Sequence, residues 1–200
     1  MDIESVTHAV VMKVGYHTDE ELADIIVRKK AEDARGAFFW GYGGTVCHPL
    51  RQVAPFAREA SIAGCRVHLL MSFTPSRHAA TRRIAIDYSC DGREWMPLPP
   101  YALVTGSRFA LVCRSLTAVS AEMHLDSYVV AVGPCHGRPA SDYLRHRVDK
   151  ACVERAPLGA DQRESTTRIQ VQYAAELVPP YAVLLRYAND HGHQQRQLRL

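Results

Sequence analysis

Two rhythms of apolar residues alternate along the first third of the chain. Residues 6–14, with Val10, Val11, Met12 and Val14, form a short β-branched run and predict a strand. From Thr18 the pattern changes. Thr18 offers a capping side chain, Asp19, Glu20 and Glu21 suit the positive end of a helix dipole, and Leu22, Ile25 and Ile26 follow at helical spacing. Gly36 ends that unit, and residues 37–42 form an aromatic strand broken by Gly43 and Gly44. A second helix is expected near Pro49, because proline suits a first helical turn, with Val53, Phe56, Ala57 and Ala60 inward and Gly64 as its stop. Residues 66–73 read as the next strand. The order β-α-β-α-β favours a sheet covered by helices.

The middle of the chain is β-rich. Residues 84–90 and 94–98 flank Asp91-Gly92, a hairpin signal because both residue types accept positive φ. The string from Ser89 through Asp91 and Gly92 to Trp95 is similar to the Ser-x-Asp-Gly-x-x-Trp turns of several β-sandwich and propeller families. That similarity implies a turn and no function. Strands are predicted at 101–105, 108–118 and 123–132. A third helix is predicted over 141–153, with Leu144, Val148, Ala151 and Cys152 on one side. Residues 157–166 read as an exposed loop, 169–177 and 181–187 as a closing hairpin around Pro179-Pro180, and 189–200 as a polar tail. The expected fold is mixed α+β: a βαβαβ half over 1–75 and a β-rich half over 76–188, joined in one mixed-sheet domain spanning 1–200.

Composition narrows the class. With 47% apolar and 22% charged residues the chain is globular rather than disordered. No apolar run reaches the ~20 residues a membrane helix needs, and the acidic start is unlike a signal peptide, so a soluble, cytoplasmic protein without membrane partners is expected. Six cysteines are spread singly, which predicts buried free thiols rather than a disulfide framework. The net charge of +3 is mild. Lysine occurs only at positions 13, 29, 30 and 150, so arginine, the better bidentate partner of phosphate, carries most of the positive charge.

The densest group of chemistry-bearing residues runs from Trp40 to Pro49. Gly41, Gly43 and Gly44 allow a sharp turn and close approach of a ligand, and the helix start that follows presents N–H groups to an anion. Thr45, His48 and Arg51 are candidate donors, and Trp40 and Tyr42 candidate stacking rings. The loop is neither a Walker A sequence nor a Gly-x-Gly-x-x-Gly fingerprint. A second strand-loop-helix passage, residues 129–141, repeats the Cys-His step at Cys135-His136 and adds Arg138 and the candidate cap Ser141. If the two strands run parallel in one sheet, both loops share its C-terminal edge. A third basic stretch holds Arg77, His78, Arg82 and Arg83. Arg108 reads as a turn charge, and His191 and His193 as parts of the tail.

The leading expectation is a nucleotide- or nucleic-acid-phosphate binder with the 41–45 loop as cradle and Arg51, Arg77 or Arg138 neutralising charge. His48 and His136 are its acid–base candidates if it also cleaves what it binds. One alternative is a cysteine-dependent hydrolase or transferase with Cys47, activated at a helix N-terminus, and His136 as base. Another is a non-catalytic assembly protein, including a homo-oligomer. Zinc on the two Cys-His pairs ranks last, because neighbouring residues rarely share one ion, and no metal or cofactor is assigned.

Overall fold

The computed structural model describes residues 2–17, 20–43, 46–78, 83–145, 148–157 and 167–188. Its elements, in order, are β1 (His8–His17), α1 (Leu22–Asp33), β2 (Phe38–Tyr42), α2 (Ala54–Ile62), β3 (Val67–His78), β4 (Ala85–Ser89), β5 (Met96–Pro97), β6 (Phe109–His124), β7 (Tyr128–Val130), α3 (Ala140–Leu144), β8 (Lys150–Arg155) and β9 (Arg168–Tyr187). All nine strands join one mixed sheet in the order β2-β6-β9-β3-β1-β8-β7, with β4 on β9 and β5 on β4. The mixed α+β class read from the sequence is the class observed.

Among the described strands only β1 and β3 pair in parallel; every other strand pairing is antiparallel. The β-α-β-α-β order of the first third is present, but β2 leaves that pair and forms the far edge against β6. Along β1 the side chains alternate: Val10, Met12 and Val14 join one apolar cluster with α1 and α2, and Ala9 and Val11 join a second with α3. A third cluster, around Phe39, Val112 and Leu185, underlies β4. The sheet curls strongly towards the first cluster. Lys150 of β8 stands over the Tyr42 ring of β2 at 5.1 Å, although four strands separate them in the lateral order.

Several elements differ from expectation. The helix over 141–153 does not form. Its first residues make the short α3, and Lys150–Arg155 is strand β8, between β1 and β7. A strand buried on both faces reads as a continuous apolar run, and Leu144, Val148, Ala151 and Cys152 imitated a helical stripe. The strands at 108–118 and 123–132 are instead β6, unbroken to His124, followed after a 3₁₀ turn by β7. Register shifts along β6 and positive φ at Ser115 absorb the irregular pattern that suggested a break. No strand forms at 101–105; Thr105 makes only an isolated bridge to Ile84.

The closing hairpin is also absent. β9 is one strand, and Pro179-Pro180 lies in a bulge where residues 178–181 face the single residue Val112. There its neighbour changes. One side pairs with β6 throughout, and the other passes from β3, up to Glu176, to β4, from Leu184. The Asp91-Gly92 hairpin does form, as a loop wider than two residues. Asp91 Oδ1 accepts the Arg93 and Glu94 N–H groups at 2.8 and 3.1 Å, and Ser89 Oγ accepts that of Gly92. Helix α1 starts at Leu22 behind Glu21, without a side-chain cap; the expected cap Thr18 lies outside the described residues, as do the loop at 158–166 and the tail.

One buried ion pair ties α1 to the open edge of β2. Lys29 Nζ donates to both carboxylate oxygens of Glu32 at 2.8 Å and to the Leu103 carbonyl at 2.7 Å. Glu32 in turn accepts the N–H of Leu103 at 3.1 Å and that of Phe39 at 3.4 Å. Both side chains are almost fully enclosed, at 3% and 1% exposure. The pair therefore satisfies backbone groups that a further strand would otherwise satisfy.

Candidate functional site

The glycine loop begins where β2 ends beside the start of β6. Phe38, Trp40 and Tyr42 project into the core beneath the helices, and Trp40 and Tyr42 are only 5% and 0% exposed. Neither expected stacking ring offers a face to a base. Tyr42 instead donates its hydroxyl to the Cys47 carbonyl at 2.9 Å, and its phenol pKa is driven far up, first by burial. Gly41 has a packing reason: a Cβ there would lie 2.6 Å from Ser107 Oγ. Gly43 has none, since a Cβ there meets nothing within 4 Å. Gly44 and Thr45 lie outside the described residues.

The helix start is largely capped by the protein itself. A widened π-type turn, Pro49–Val53, precedes α2. His48 Nδ1 accepts the Arg51 N–H at 3.3 Å, and the His48 carbonyl accepts those of Gln52 and Val53 at 2.8 and 3.3 Å. Pro49 has no N–H to offer. The N–H groups of Arg51, Gln52 and Val53 are thus already paired, so the side chains around them must supply much of the charge. With Nδ1 accepting, the neutral His48 ring carries its proton on Nε2. The ring is half-buried and meets Phe109 edge-on at 5.0 Å between centroids.

Among the described residues, the charged side chains that act on His48 have one sign. Burial holds the His48 pKa below the ordinary imidazole value, and Arg51 and Arg108 push it further down. Arg51 comes from the π-type turn, and Arg108 from the turn before β6, where its guanidinium lies over Phe109 at 5.6 Å. Both arginines are exposed. The same 105–108 turn meets the third basic stretch, because the Gly106 N–H bonds the Arg83 carbonyl at 3.1 Å. Arg77 lies on β3 opposite Tyr16; its side chain and that of His78 are not described, and Arg82 lies outside the described residues.

The two Cys-His loops approach one another for a reason other than the one expected. β2 and β7 run in opposite directions, so they share no C-terminal edge. The curl of the sheet brings the loops together instead. Gln52 accepts the His48 N–H at 2.6 Å, and its amide nitrogen packs so closely on Gly133 that a Cβ there would lie 2.5 Å away. Tyr143 of α3 feels Cys47, Cys135 and Cys152 together, although burial is the main cause of its raised pKa. Within the second loop the backbone groups close on themselves: His136 N bonds Gly133 O, Arg138 N bonds Cys135 O, and Gly137 N bonds Val130 O. His136 and Arg138 are exposed. Ser141, expected as a cap, is a buried residue inside α3, whose N-cap is Pro139.

Cys47 is the other surprise. Its sulfur lies 3.4 Å from that of Cys152 on β8, and among the described residues no hydrogen bond or ring contact joins it to His136. Hydrogen bonding with Cys152 lowers the Cys47 pKa, burial opposes this, and Lys150 assists it. The described residues hold no group of three or more His, Cys, Asp or Glu side chains arranged for a metal ion. No described helix is long and apolar enough to cross a membrane.

Sequence reasoning underrated two residues, Arg108 and Cys152. Arg108 adjoins Phe109, which pairs with Tyr42 at the loop's root, but β2–β6 pairing spans about seventy positions and carries no local signal. Cys152 was hidden inside the misread helix. No protein-family model, curated protein or solved structure matches the chain.

Proposed function

We propose that the protein binds a phosphate-bearing ligand, a nucleotide or a nucleic-acid strand, on the rim formed by Gly43, His48, Arg51 and Arg108. One observation carries this reading. His48 stands in the fields of two guanidiniums from separate elements, and among the described residues no carboxylate acts on it. Like charges held together around an imidazole destabilise an empty site, and a bound anion relieves them. Arginine also matches phosphate with two parallel hydrogen bonds. Gly43 leaves room for the ligand to reach the backbone. With Trp40 and Tyr42 in the core, recognition falls on the phosphates, so binding is expected to depend little on base sequence.

The test is fluorescence anisotropy of a labelled single-stranded RNA at stepped salt, with ATP and inorganic phosphate as competitors. Binding should weaken with salt at a slope of about −0.7 per phosphate neutralised, hence about −1.4 for the two guanidiniums. Arg51→Glu and Arg108→Glu should each weaken binding about tenfold or more and flatten the slope by about one phosphate. Gly43→Val should weaken binding while leaving the melting temperature in place, since its side chain enters open space. Wild-type affinity in the Arg51→Glu/Arg108→Glu double variant would remove the proposal.

A further inference from the structure

Cys47 and Cys152 are 105 positions apart in sequence, yet their sulfurs approach to 3.4 Å. A disulfide needs about 2.05 Å, so closure requires one sulfur to move by little more than an ångström. The two partners differ in freedom. Cys152 is held in β8 between β1 and β7 and is fully buried, whereas Cys47 lies in the loop ahead of α2 and keeps 8% of its surface exposed. Cys47 also has left-handed backbone, with φ of 53°, which residues other than glycine rarely adopt, and the Tyr42 hydroxyl anchors its carbonyl. Backbone of this kind persists where its surroundings over-determine it, and it clusters at functional positions.

We propose that Cys47 and Cys152 form a peroxide-oxidisable dithiol, with Cys47 the sulfur that attacks the peroxide and Cys152 the one that resolves the product. The environment favours that order. Hydrogen bonding with Cys152 and the nearby Lys150 ammonium favour a thiolate at Cys47, while burial keeps Cys152 protonated. The Cys47 thiolate attacks one peroxide oxygen, the O–O bond breaks, and the departing hydroxide takes a proton to leave as water. Cys152 then attacks the sulfur of the resulting sulfenic acid. An S–S bond forms, the S–O bond breaks, and the Cys152 proton leaves with hydroxide as a second water. The two sulfurs together lose two electrons, and the peroxide gains them. The bond ties the loop that carries His48 to the middle of the sheet. This inference is independent of the anion site.

The full chain is treated with a slight excess of hydrogen peroxide, its free thiols are titrated under denaturing conditions, and its peptides are mapped without reduction. The expected result is a fall from the six thiols of the sequence to four, with Cys47 and Cys152 cross-linked and both thiols recovered by dithiothreitol. In Cys152→Ala, Cys47 should stop at the sulfenic acid and be trapped by dimedone. Six thiols persisting in peroxide, a cross-link from Cys47 to Cys135, or dimedone capture at Cys152 ahead of Cys47 would each overturn the proposal. The wild-type map decides the question even if the variant fails to fold.

Discussion

Replacing Lys29 by methionine tests the physical account of the β2 edge. The side chain keeps its length and loses its charge. Glu32, 1% exposed, then has a carboxylate held only by the Leu103 and Phe39 N–H groups, and the Leu103 carbonyl loses its donor. Breaking one partner out of a buried ion pair costs about 3–5 kcal/mol. That is a large share of the roughly 5–15 kcal/mol by which a typical domain is stable. The expected loss for Lys29→Met is therefore about 4 kcal/mol, read from urea unfolding at neutral pH. Glu32→Met should cost a similar amount by leaving the ammonium unpaired. The double variant should lose less than the sum of the singles, by about 2 kcal/mol or more, because neither orphaned charge remains. It should not return to wild type, since the backbone groups of Leu103 and Phe39 stay unpaired. A Lys29→Met protein within about 1 kcal/mol of wild type would refute the reasoning, because an enclosed carboxylate cannot lose its counter-charge so cheaply.

Two further outcomes are expected. Gly41→Ala sets a Cβ 2.6 Å from Ser107 Oγ and 3.3 Å from Ser107 Cβ and should cost about 1–3 kcal/mol by overpacking; Ser107→Gly in the same chain should recover most of it, and failure to do so in thermal melts would place the strain elsewhere. His48 titrates below the ordinary value of 6.5, so the unfolded chain takes up this proton first, and the His48 contribution to stability is lost as pH falls below about 6.5 towards the folded value. Arg108→Gln should raise the His48 pKa, which the imidazole resonances in an NMR titration report directly; an unmoved pKa would mean that the two charges do not share a site.

The parts of the fold legible in the sequence were those written locally. Leu22, Ile25 and Ile26 mark the buried face of α1 by their spacing alone, and Pro49 marks a helix start by its missing N–H. The parts that were not legible depend on partners distant in sequence. Lys150–Arg155 is a strand because β1 and β7 lie on either side of it, and nothing within the segment says so. Pro179-Pro180 looked like a turn because proline usually interrupts pairing, whereas here the exchange of β3 for β4 leaves a gap in which a bulge can sit. At the candidate site, His48 and Arg51 were visible because they are neighbours on one turn. Arg108 and Cys152 arrive through sheet pairing and curl. Trp40 and Tyr42 were assigned to a ligand because a strand-end aromatic looks the same in sequence whether it faces a base or a core.

The position of β9 bears on how this chain is made. It is the last strand among the described residues, yet it lies in the middle of the sheet, between β6 on one flank and β3 and β4 on the other. Residues 168–187 follow β1 to β8 in the chain, so until they are synthesised β3 lacks its β9 partner on one side and β6 lacks it on the other. Those edges are bare backbone beside apolar faces, the surfaces through which nascent chains stick to one another. Residues 168–187 therefore act as a keystone between the two groups of strands, and a truncation before them would leave both edges without a partner.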